Sequence, residues 1–247
     1  MAHRAVWERK PALRAVYHDI YRRILDVTVP GRTLEIGGGP GNFKAVAPAT
    51  ITSDIMFAPW LDLVCDAQRL PFASDCFANL VMIDVIHHVQ NPFRFLNEAA
   101  RVLADGGRLI FCEPAITPLS GMFYRLLHHE PVDMSVDPLR DGAISSDKDP
   151  YDSNQAIPTL LVGRFRDVLA RAVPALKLRS VDWFSFLAYP LSGGFKSWCL
   201  LPSGVAGPLL AAERRLHRSL GRLAGFRLLA VYEKTALPRG VAKPDRR

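Results

Sequence analysis

Apolar residues in this chain fall into short blocks whose spacing alternates between helix and strand periods. Residues 13–27 place apolar side chains on one face at helical spacing. Short apolar blocks at 32–36, 50–55 and 61–65 predict three strands. The nearly continuous apolar run 77–84 is typical of a central parallel strand that is buried on both faces. Because strand-like and helix-like blocks alternate, the pattern predicts an α/β fold with a mostly parallel sheet.

Residues 91–154 add a helix, a strand and one long irregular stretch. Asn91 is a suitable N-cap and Pro92 a suitable first helical residue, so a helix is predicted to begin here and to end before a strand at 108–112. The segment 115–154 is rich in Pro, Asp, Ser and His, and it predicts either a disordered stretch or a lid over a site. The elements predicted downstream are a helix at 157–173, a strand at 178–187, an amphipathic helix at 209–223 and a last strand at 227–234.

These elements predict a Rossmann-like, doubly wound α/β fold whose sheet has seven mostly parallel strands and an antiparallel last strand. Helices are expected on both faces of the sheet. The predicted organisation comprises an N-terminal helical cap at 1–30, the main domain at 31–236, a lid insertion at about 115–154, an insertion at about 190–225 between the last two strands, and a basic tail at 237–247.

Composition predicts a substantial core, since 49% of the 247 residues are hydrophobic. No apolar run approaches the roughly 20 residues needed to span a bilayer, and the first residues lack a signal-peptide pattern, so a cytoplasmic protein is expected. The four cysteines are scattered without metal-binding spacing, and no metal site is predicted. The net charge of +7 is concentrated in the C-terminal region, which favours either an anionic partner or a solvated helix face and tail.

A glycine-rich segment, Leu34–Phe43, directly follows the first predicted strand and opens a helix. Glycines there let the backbone turn sharply and let a ligand approach the main chain. The dinucleotide-binding pattern GxGxxG requires a third glycine at position 42, where this chain has Asn42. No Gly-Lys-Ser/Thr sequence follows, so a nucleotide-triphosphate loop is excluded. The segment therefore predicts a cofactor loop of another kind.

Four further segments follow this loop in order. Together with it they resemble the class I methyltransferases that depend on S-adenosylmethionine (SAM), most closely the type 11 small-molecule branch. The resemblance implies the predicted fold, SAM as the cofactor and methyl transfer as the reaction. It rests on the glycine loop 34–42, the strand end 52–55 with Asp54, the segment Asp66–Phe72, the strand end Ile83–Val89, and the helix and turn Glu98–Gly107.

The resemblance also implies a set of cofactor-binding residues. Asp54 matches the acidic residue that binds the ribose hydroxyls, and a carboxylate can accept two hydrogen bonds from a diol. Asp66 matches the aspartate that faces the adenine amino group. Only eleven residues separate these two aspartates, so 56–60 must be a tight loop, from which Phe57 or Trp60 packs either on the adenine or in the core. The complete set is Glu35, Gly37, Gly38, Gly39, Gly41, Asn42, Asp54, Asp66, Ala67, Asp84 and His87.

Histidines provide the candidate general bases, because an imidazole titrates near neutral pH. His87 and His88 follow the fourth strand, at the sheet edge where ligands bind, and are either such bases or a structural pair that supports the cofactor pocket. His128 and His129 lie in the lid region within a His-His-Glu sequence. They are candidate acceptor-site residues, and no further ligand spacing supports a metal there. Glu113, at the end of the fifth strand, is expected to face the cleft.

The leading hypothesis is transfer of a methyl group from SAM to a small molecule or a glycan or lipid intermediate, on oxygen. Competing hypotheses are a SAM-binding regulatory protein without turnover, a nucleic-acid methyltransferase and, more distantly, a nicotinamide dehydrogenase. No nucleic-acid partner is expected, since the chain has no Asn/Asp-Pro-Pro-Tyr/Phe tetrapeptide. The helix 209–223 carries leucines on one side and arginines on another, so it either rests on an anionic membrane or packs its leucines on the domain.

Overall fold

The computed structural model describes residues 2–127, 130–145 and 147–236. The predicted base candidates His128 and His129 and the basic tail 237–247 lie outside the described residues. The helices are α1 (Ala2–Arg9), α2 (Pro11–Leu25), α3 (Pro92–Val102), α4 (Pro118–Leu127), α5 (Ile157–Val162), α6 (Arg166–Ala172), α7 (Ala188–Ser192) and α8 (Ser203–Ala224), with a 3-10 turn at Phe43–Ala45. The strands are β1 (Thr33–Ile36), β2 (Ile51–Asp54), β3 (Leu63–Val64), β4 (Phe77–Ile83), β5 (Leu103–Pro114), β6 (Leu176–Phe184) and β7 (Arg227–Lys234).

These strands form one sheet in the order β3-β2-β1-β4-β5-β7-β6. Strands β1 to β5 pair in parallel, whereas β7 runs antiparallel to both β5 and β6. The prediction of a seven-stranded, mostly parallel sheet with an antiparallel last strand is confirmed. The strand order reverses between β1 and β4, and open α/β sheets bind ligands at the carboxyl ends of the strands beside such a reversal.

Side chains of the central strands alternate between two apolar layers, one on each face of the sheet. In β4, Leu80 belongs to the layer covered by α3, α5 and α6, and Val81 belongs to the layer covered by α2 and α8. Helix α3 contributes Phe95 to the first layer, and α2 contributes Ile20 to the second. Burial on both faces explains why the sequence of β4 is an almost continuous apolar run.

Some predicted elements have different bounds in the structure. The helix predicted at 157–173 is two helices, because Gly163 ends α5 with a non-helical backbone of φ −109° and ψ −106°. The segment 56–60 is a loop, as predicted, and the strand after it has only two residues. Helix α3 begins as predicted, and the side chain of Asn91 accepts a hydrogen bond from the Arg94 amide at 3.0 Å.

The N-terminal cap is tied to the loop after α7 by a buried lysine. Lys10, between α1 and α2, donates hydrogen bonds to the carbonyl oxygens of Gly194 at 2.6 Å, Lys196 at 3.1 Å and Trp198 at 2.8 Å. Burial lowers the pKa of Lys10, and three carbonyl oxygens replace the water that its ammonium group loses. Helices α1 and α2 are thereby held at the edge of the sheet where the strands β1 and β4 end.

Helix α8 is amphipathic but does not bury all of its leucines. Ala206 and Leu210 are buried against the domain, whereas Leu216, Leu220 and Leu223 are 46%, 38% and 51% exposed. The sequence left open that the leucines of this helix pack on the domain. For Leu216, Leu220 and Leu223 this alternative is wrong. Within the described residues, no helix combines the length and the apolarity that crossing a membrane requires.

Candidate active site

A cavity of about 1180 Å³ opens at the carboxyl ends of β1, β2 and β4. Its volume exceeds the range of about 300–1,000 Å³ that is typical of small-molecule sites, so it offers room for a cofactor and an acceptor. Gly41 is the one predicted cofactor-binding residue that does not line this cavity. The predicted residues that do line it are Glu35, Gly37, Gly38, Gly39, Asn42, Asp54, Asp66, Ala67, Asp84, His87 and His88.

Glu35, in β1, has a buried carboxyl oxygen without a hydrogen-bond partner among the described residues. The residue is 3% exposed, and its Oε2 atom has no hydrogen-bond partner in the part of the chain that the structure describes. Burial raises the pKa of Glu35 to about 8, and the charge of nearby Asp54 adds to this rise. A buried polar atom without a partner is costly. A ligand that brings hydroxyl groups or a positive charge into the cavity would supply the missing partner.

Asp54, at the end of β2, fastens the glycine loop. Its Oδ2 atom accepts a hydrogen bond from the Gly39 amide at 2.9 Å, and its Oδ1 atom accepts one from the Met56 amide at 3.0 Å. The Trp60 indole donates to the Gly39 carbonyl at 2.8 Å. A Cβ atom added to Gly39 would come no closer than 4.0 Å to another heavy atom, the carbonyl oxygen of Gly37. The main chain at Gly39 is therefore open to a ligand in the cavity.

Two other glycines of the loop are required by close contacts. Gly37 has a φ of +73°, and a Cβ atom there would lie 2.3 Å from Cγ2 of Val85. Gly41 has a φ of +76°, and a Cβ atom there would lie 2.8 Å from the ring of Trp60. Gly41 thus lets Trp60 pack against the loop, with the Arg4 guanidinium 4.5 Å from the centroid of its ring. Whether Trp60 or Gly41 also touches the cofactor stays a prediction.

Asp66 follows β3 and is held at the cavity wall beside Ala67. Its Oδ1 atom accepts hydrogen bonds from the Gln68 amide at 2.8 Å and from Gln68 Nε2 at 3.1 Å. The side-chain oxygen of Gln68 in turn accepts a hydrogen bond from the Asn91 amide at 2.8 Å. The start of α3 therefore helps to position Asp66. The predicted contact of this carboxylate with adenine stays a prediction.

Asp84 follows β4 with a left-handed backbone (φ +60°), which costs energy for a residue other than glycine. Its side chain accepts a hydrogen bond from the Tyr17 hydroxyl at 2.9 Å and forms an ion pair with Arg227. Arg227 is completely buried and also donates to the Cys112 carbonyl at 3.1 Å. Burial alone would raise the pKa of Asp84, but the Arg227 guanidinium outweighs burial and lowers it. Asp84 is thus a fixed anion on the cavity wall.

His87 is oriented by a buried carboxylate. The Oε2 atom of Glu113, a completely buried residue, lies 2.5 Å from His87 Nδ1, and its Oε1 atom accepts the amides of Val85 at 2.8 Å and Ile86 at 3.0 Å. Glu113 therefore does not face the cleft, and the expectation that it does is wrong, because these donors draw its carboxylate inward. Burial alone would lower the pKa of His87, but the charge of Glu113 outweighs burial and raises it.

The fold brings Glu130 of the lid region beside the histidine pair. Glu130 Oε2 lies 3.7 Å from His87 Nε2, and the ring centroids of His87 and His88 are 4.2 Å apart. Ser153 Oγ donates to Glu130 Oε2 at 2.8 Å, and the Gln155 side chain donates to the same oxygen. One ligand atom from each of His87, His88 and Glu130 lies within 4.8 Å of the other two. These three residues are called the histidine–glutamate cluster below.

Sequence reasoning missed that Tyr17 and Glu130 line the cavity and that Arg227 pairs with Asp84 of its wall. They come from α2, β7 and the lid region, which are remote in sequence from the motifs of residues 34–107. No local motif marks Tyr17 or Arg227. The signal that could have found Glu130 is its place in the His-His-Glu sequence of the irregular region.

The cofactor side of the cavity fits SAM, a sulfonium cation that carries adenosine. Glu35 offers a carboxyl oxygen without a partner, and Gly39 offers open main chain. Asp54 and Asp66 add carboxylates to the same wall, where they suit a diol and an amino group. These four residues would hold the cofactor.

Comparisons with known proteins agree with this fit. Residues 34–111 match the family described as "Methyltransferase domain", type 11. The demethylmenaquinone methyltransferase of Streptomyces avermitilis is 30% identical over 144 residues, and the alignment covers 55% of each chain. The "Probable tRNA methyltransferase 9B" of Bos taurus is 33% identical over 103 residues, or 36% of this chain and 23% of that protein. The chain thus spans about half the length, or less, of these curated relatives.

Solved structures show the same fold. A SAM-dependent methyltransferase of Thermotoga maritima superposes with a TM-score of 0.58 at 18% sequence identity, and the alignment covers 91% of this chain and 92% of that chain. Residues 34–111 thus carry the type 11 methyltransferase domain, and the chain has the fold of the class I SAM-dependent methyltransferases, whose cofactor is S-adenosylmethionine.

Proposed function

We propose that this protein transfers the methyl group of SAM to an oxygen atom of a small, lipophilic acceptor. The observation that carries the proposal is the lining of the cavity, which combines acidic side chains and open glycine backbone with aromatic side chains and the histidine–glutamate cluster. When bound, the cofactor supplies a methyl group on a positively charged sulfur atom. The residues of the chain have to align the acceptor and exclude water. The relatives named demethylmenaquinone methyltransferase support a small-molecule acceptor.

Aromatic side chains make up a large part of the cavity lining. Phe123 and Phe226 pack edge to face, with ring centroids 5.2 Å apart and planes inclined by 78°. Burial raises the pKa of both Tyr124 and Tyr189, so their hydroxyl groups stay neutral. Such a wall suits a flat or lipophilic acceptor. The aromatic residues that line the cavity include Tyr17, Tyr21, Phe123, Tyr124, Tyr189, Phe195 and Phe226.

Charge at the cavity favours a hydroxyl acceptor over an amine. The carboxylates of Asp84 and Glu130 stabilise the protonated form of an amine, which has no lone pair for the methyl group. A hydroxyl acceptor has to lose its proton as the methyl group arrives, and it needs a suitable group within hydrogen-bond reach. The histidine–glutamate cluster lies on the acceptor side of the cavity and offers such groups.

The proposal is tested with purified protein, SAM and lipophilic aromatic acceptors matched so that each ring carries a hydroxyl group, an amino group or neither. We expect S-adenosylhomocysteine to accumulate with the hydroxyl compounds, and the product spectrum to place the new methyl group on oxygen. Asp54→Asn should weaken SAM binding, whereas Asp105→Asn, an exposed residue near the start of β5, should not. Methylation on nitrogen or carbon would overturn the oxygen assignment, and SAM binding without any turnover would favour a regulatory protein.

An exposed apolar surface on α4 and α8 bears on where the acceptor comes from. The two helices contact each other. Arg214 of α8 forms an ion pair with Asp19 of α2 at 3.2 Å, which places α2 on the arginine side of α8. This α4/α8 surface comprises Leu119, Met122 and Leu126 of α4 and Leu216, Leu220 and Leu223 of α8, which are 38% to 74% exposed.

We propose that the α4/α8 surface rests on an anionic membrane, from which a lipophilic acceptor reaches the cavity. Arg215, Arg218 and Arg222 are exposed on α8 beside the leucines, and the chain carries a net charge of +7. Cationic side chains that flank an apolar helix face are typical of helices that lie in the membrane interface. Phe123 of α4 lines the cavity, so one helix connects the apolar surface to the acceptor side.

Vesicle co-sedimentation tests the membrane proposal. The protein should pellet with vesicles that contain phosphatidylglycerol and much less with phosphatidylcholine vesicles. The double variant Leu220→Glu, Leu223→Glu should lose this binding. The control Val168→Glu, an exposed position on α6 at the opposite face of the sheet, should keep it. Equal binding of wild type and double variant, or binding of tRNA but not of vesicles, would overturn it.

A further inference from the structure

We propose that His87, His88 and Glu130 bind one divalent transition-metal ion. The sequence analysis predicts no metal site, and it is the fold that brings Glu130 beside the adjacent histidines His87 and His88. Two imidazoles and one carboxylate form a ligand set that suits zinc, cobalt, manganese or iron. The role of such an ion opposite a hydroxyl acceptor rests on the function proposed above. Binding of the ion itself does not rest on that function.

The distances suit a small coordination sphere. His87 Nε2 and Glu130 Oε2 are 3.7 Å apart, and the ligand atoms of the three residues all lie within 4.8 Å of one another. Ligands at about 2.0–2.1 Å from a tetrahedral zinc ion are about 3.4 Å apart. The pair of His87 and Glu130 is therefore within a few tenths of an ångström of a coordinated geometry. Side-chain rotation of His88 or Glu130, both only partly buried, would close the remaining distance.

His87 contacts a carboxylate through its second ring nitrogen, as metal-binding histidines usually do. Histidine ligands almost always donate their second ring nitrogen to a carboxylate or carbonyl group, which fixes the tautomer and the ring orientation. Glu113 Oε2 lies 2.5 Å from His87 Nδ1, and hydrogen bonds from the amides of Val85 and Ile86 to Oε1 hold this carboxylate in place. A proton on Nδ1 leaves the lone pair of Nε2 directed toward Glu130. Glu113 is therefore assigned as a positioning residue for the metal ligand.

The other two proposed ligands, His88 and Glu130, are also arranged for metal binding. His88 Nδ1 is buried and has no hydrogen-bond partner in the described part of the chain, which is unusual for a ring nitrogen. Ser153 and Gln155 hold the Glu130 carboxylate in place beside the histidines. Three protein ligands on the wall of an open cavity leave a fourth position free, as in catalytic rather than structural zinc sites. An acceptor hydroxyl at this fourth position would have its pKa lowered by the ion.

Titration of metal-depleted protein tests the site. We expect calorimetry to show one Zn²⁺ ion bound per chain, and Co²⁺ to give a visible absorption band from its low-symmetry coordination. His88→Ala and Glu130→Gln should each weaken metal binding at least tenfold. The control His217→Ala, on α8, should not. Glu113→Gln removes no ligand but should weaken binding by about 10–100-fold, as changes behind a metal-binding histidine do.

These outcomes are separable from those of the methyl-transfer proposal. Stoichiometric binding that His88→Ala and Glu130→Gln weaken supports the site, whether or not a methyl acceptor has been found. Absence of Zn²⁺ and Co²⁺ binding, or binding that both variants leave unchanged, overturns the site even if the protein turns over SAM. Circular dichroism of each variant shows whether it is folded. Glu130→Gln changes a partly exposed residue, so the test does not depend on a buried substitution.

Discussion

Removing the charge of Asp84 should destabilise the protein more than removing its ion-pair partner Arg227. Asp84→Asn leaves the Arg227 guanidinium, which is 0% exposed, without its counter-ion, and breaking a buried pair in this way costs about 3–5 kcal/mol. Arg227→Met leaves Asp84, whose side chain is 27% exposed and still accepts the Tyr17 hydrogen bond. We expect a smaller cost of about 2–3 kcal/mol, since the remaining carboxylate is partly hydrated.

The double variant Asp84→Asn, Arg227→Met should cost clearly less than the sum of the single changes. It removes both charges, so neither remains buried without a partner. Coupling between residues in direct contact is usually about 0.5–3 kcal/mol, and the upper part of this range is expected here because Arg227 is completely buried. The remaining cost reflects lost packing of Arg227 against Tyr189, whose ring centroid lies 4.9 Å from the guanidinium carbon.

Urea unfolding at pH 7, extrapolated linearly to water, measures these free energies of unfolding. The control is Arg94→Met, which breaks the exposed pair between Arg94 and Asp141, whose side chains are 42% and 53% exposed, and should cost at most about 1 kcal/mol. If Asp84→Asn costs no more than this control, or if the two single costs add in the double variant, the pair does not act as a buried ion pair and the reasoning fails.

The effect of Arg227→Met on the free energy of unfolding should depend on pH. Because Arg227 outweighs burial and lowers the pKa of Asp84, the ionised carboxylate stabilises the folded state above the pKa of the unfolded chain. This stabilisation is lost as the pH falls through the lowered pKa. The difference in stability between wild type and Arg227→Met should therefore shrink in acid. A difference that stays constant from pH 7 down to pH 3 would contradict this account.

Three further predictions concern the cofactor side. Burial raises the pKa of Glu35 from 4.5 to about 8, so the contribution of Glu35 to the stability of the folded protein falls as the pH rises between these values. Without cofactor, the melting temperature of the Glu35→Gln variant relative to wild type should therefore rise from pH 5 to pH 8.5. A gain that does not grow with pH would refute this. Trp60→Phe loses one hydrogen bond to the glycine loop, worth about 1 kcal/mol, and should weaken SAM binding about fivefold by calorimetry; an unchanged affinity would contradict it. Gly37→Ala, with its left-handed φ and its contact with Val85, should abolish SAM binding, whereas Gly142→Ala, in open space, should bind SAM like wild type.

The cofactor side could be predicted because its residues belong to consecutive segments. Glu35, Asp54 and Asp66 each lie at or near the end of one of the parallel strands β1, β2 and β3, so a correct order of strands places them along one edge. The short distance between Asp54 and Asp66 in the sequence also predicted the loop 56–60 correctly. Local sequence patterns are enough to locate these residues, because strands that are consecutive in the sequence usually lie next to each other in a parallel sheet.

The acceptor side could not be predicted in the same way. Glu130 reaches His87 from an irregular segment whose path depends on tertiary contacts, such as the hydrogen bond from the Asn154 amide to the His87 carbonyl at 2.9 Å. Arg227 meets Asp84 only because β7 inserts between β5 and β6, an order that the apolar pattern does not contain. Periodicity likewise predicted one helix at 157–173, because it does not register the backbone break at a single glycine.

This division of the cavity has a consequence for function. The groups that would hold SAM come from residues 35–66, whereas those that would recognise the acceptor come from α2, α4, the lid region, α7 and Phe226, directly before β7. The Asp84–Arg227 pair joins the segment after β4 to β7, and the His87–Glu113 pair joins it to β5. We therefore expect changes in the lid region to alter acceptor recognition and to leave SAM binding intact. One cofactor motif can be combined with different acceptor sites, since function depends on the site that is built on a fold.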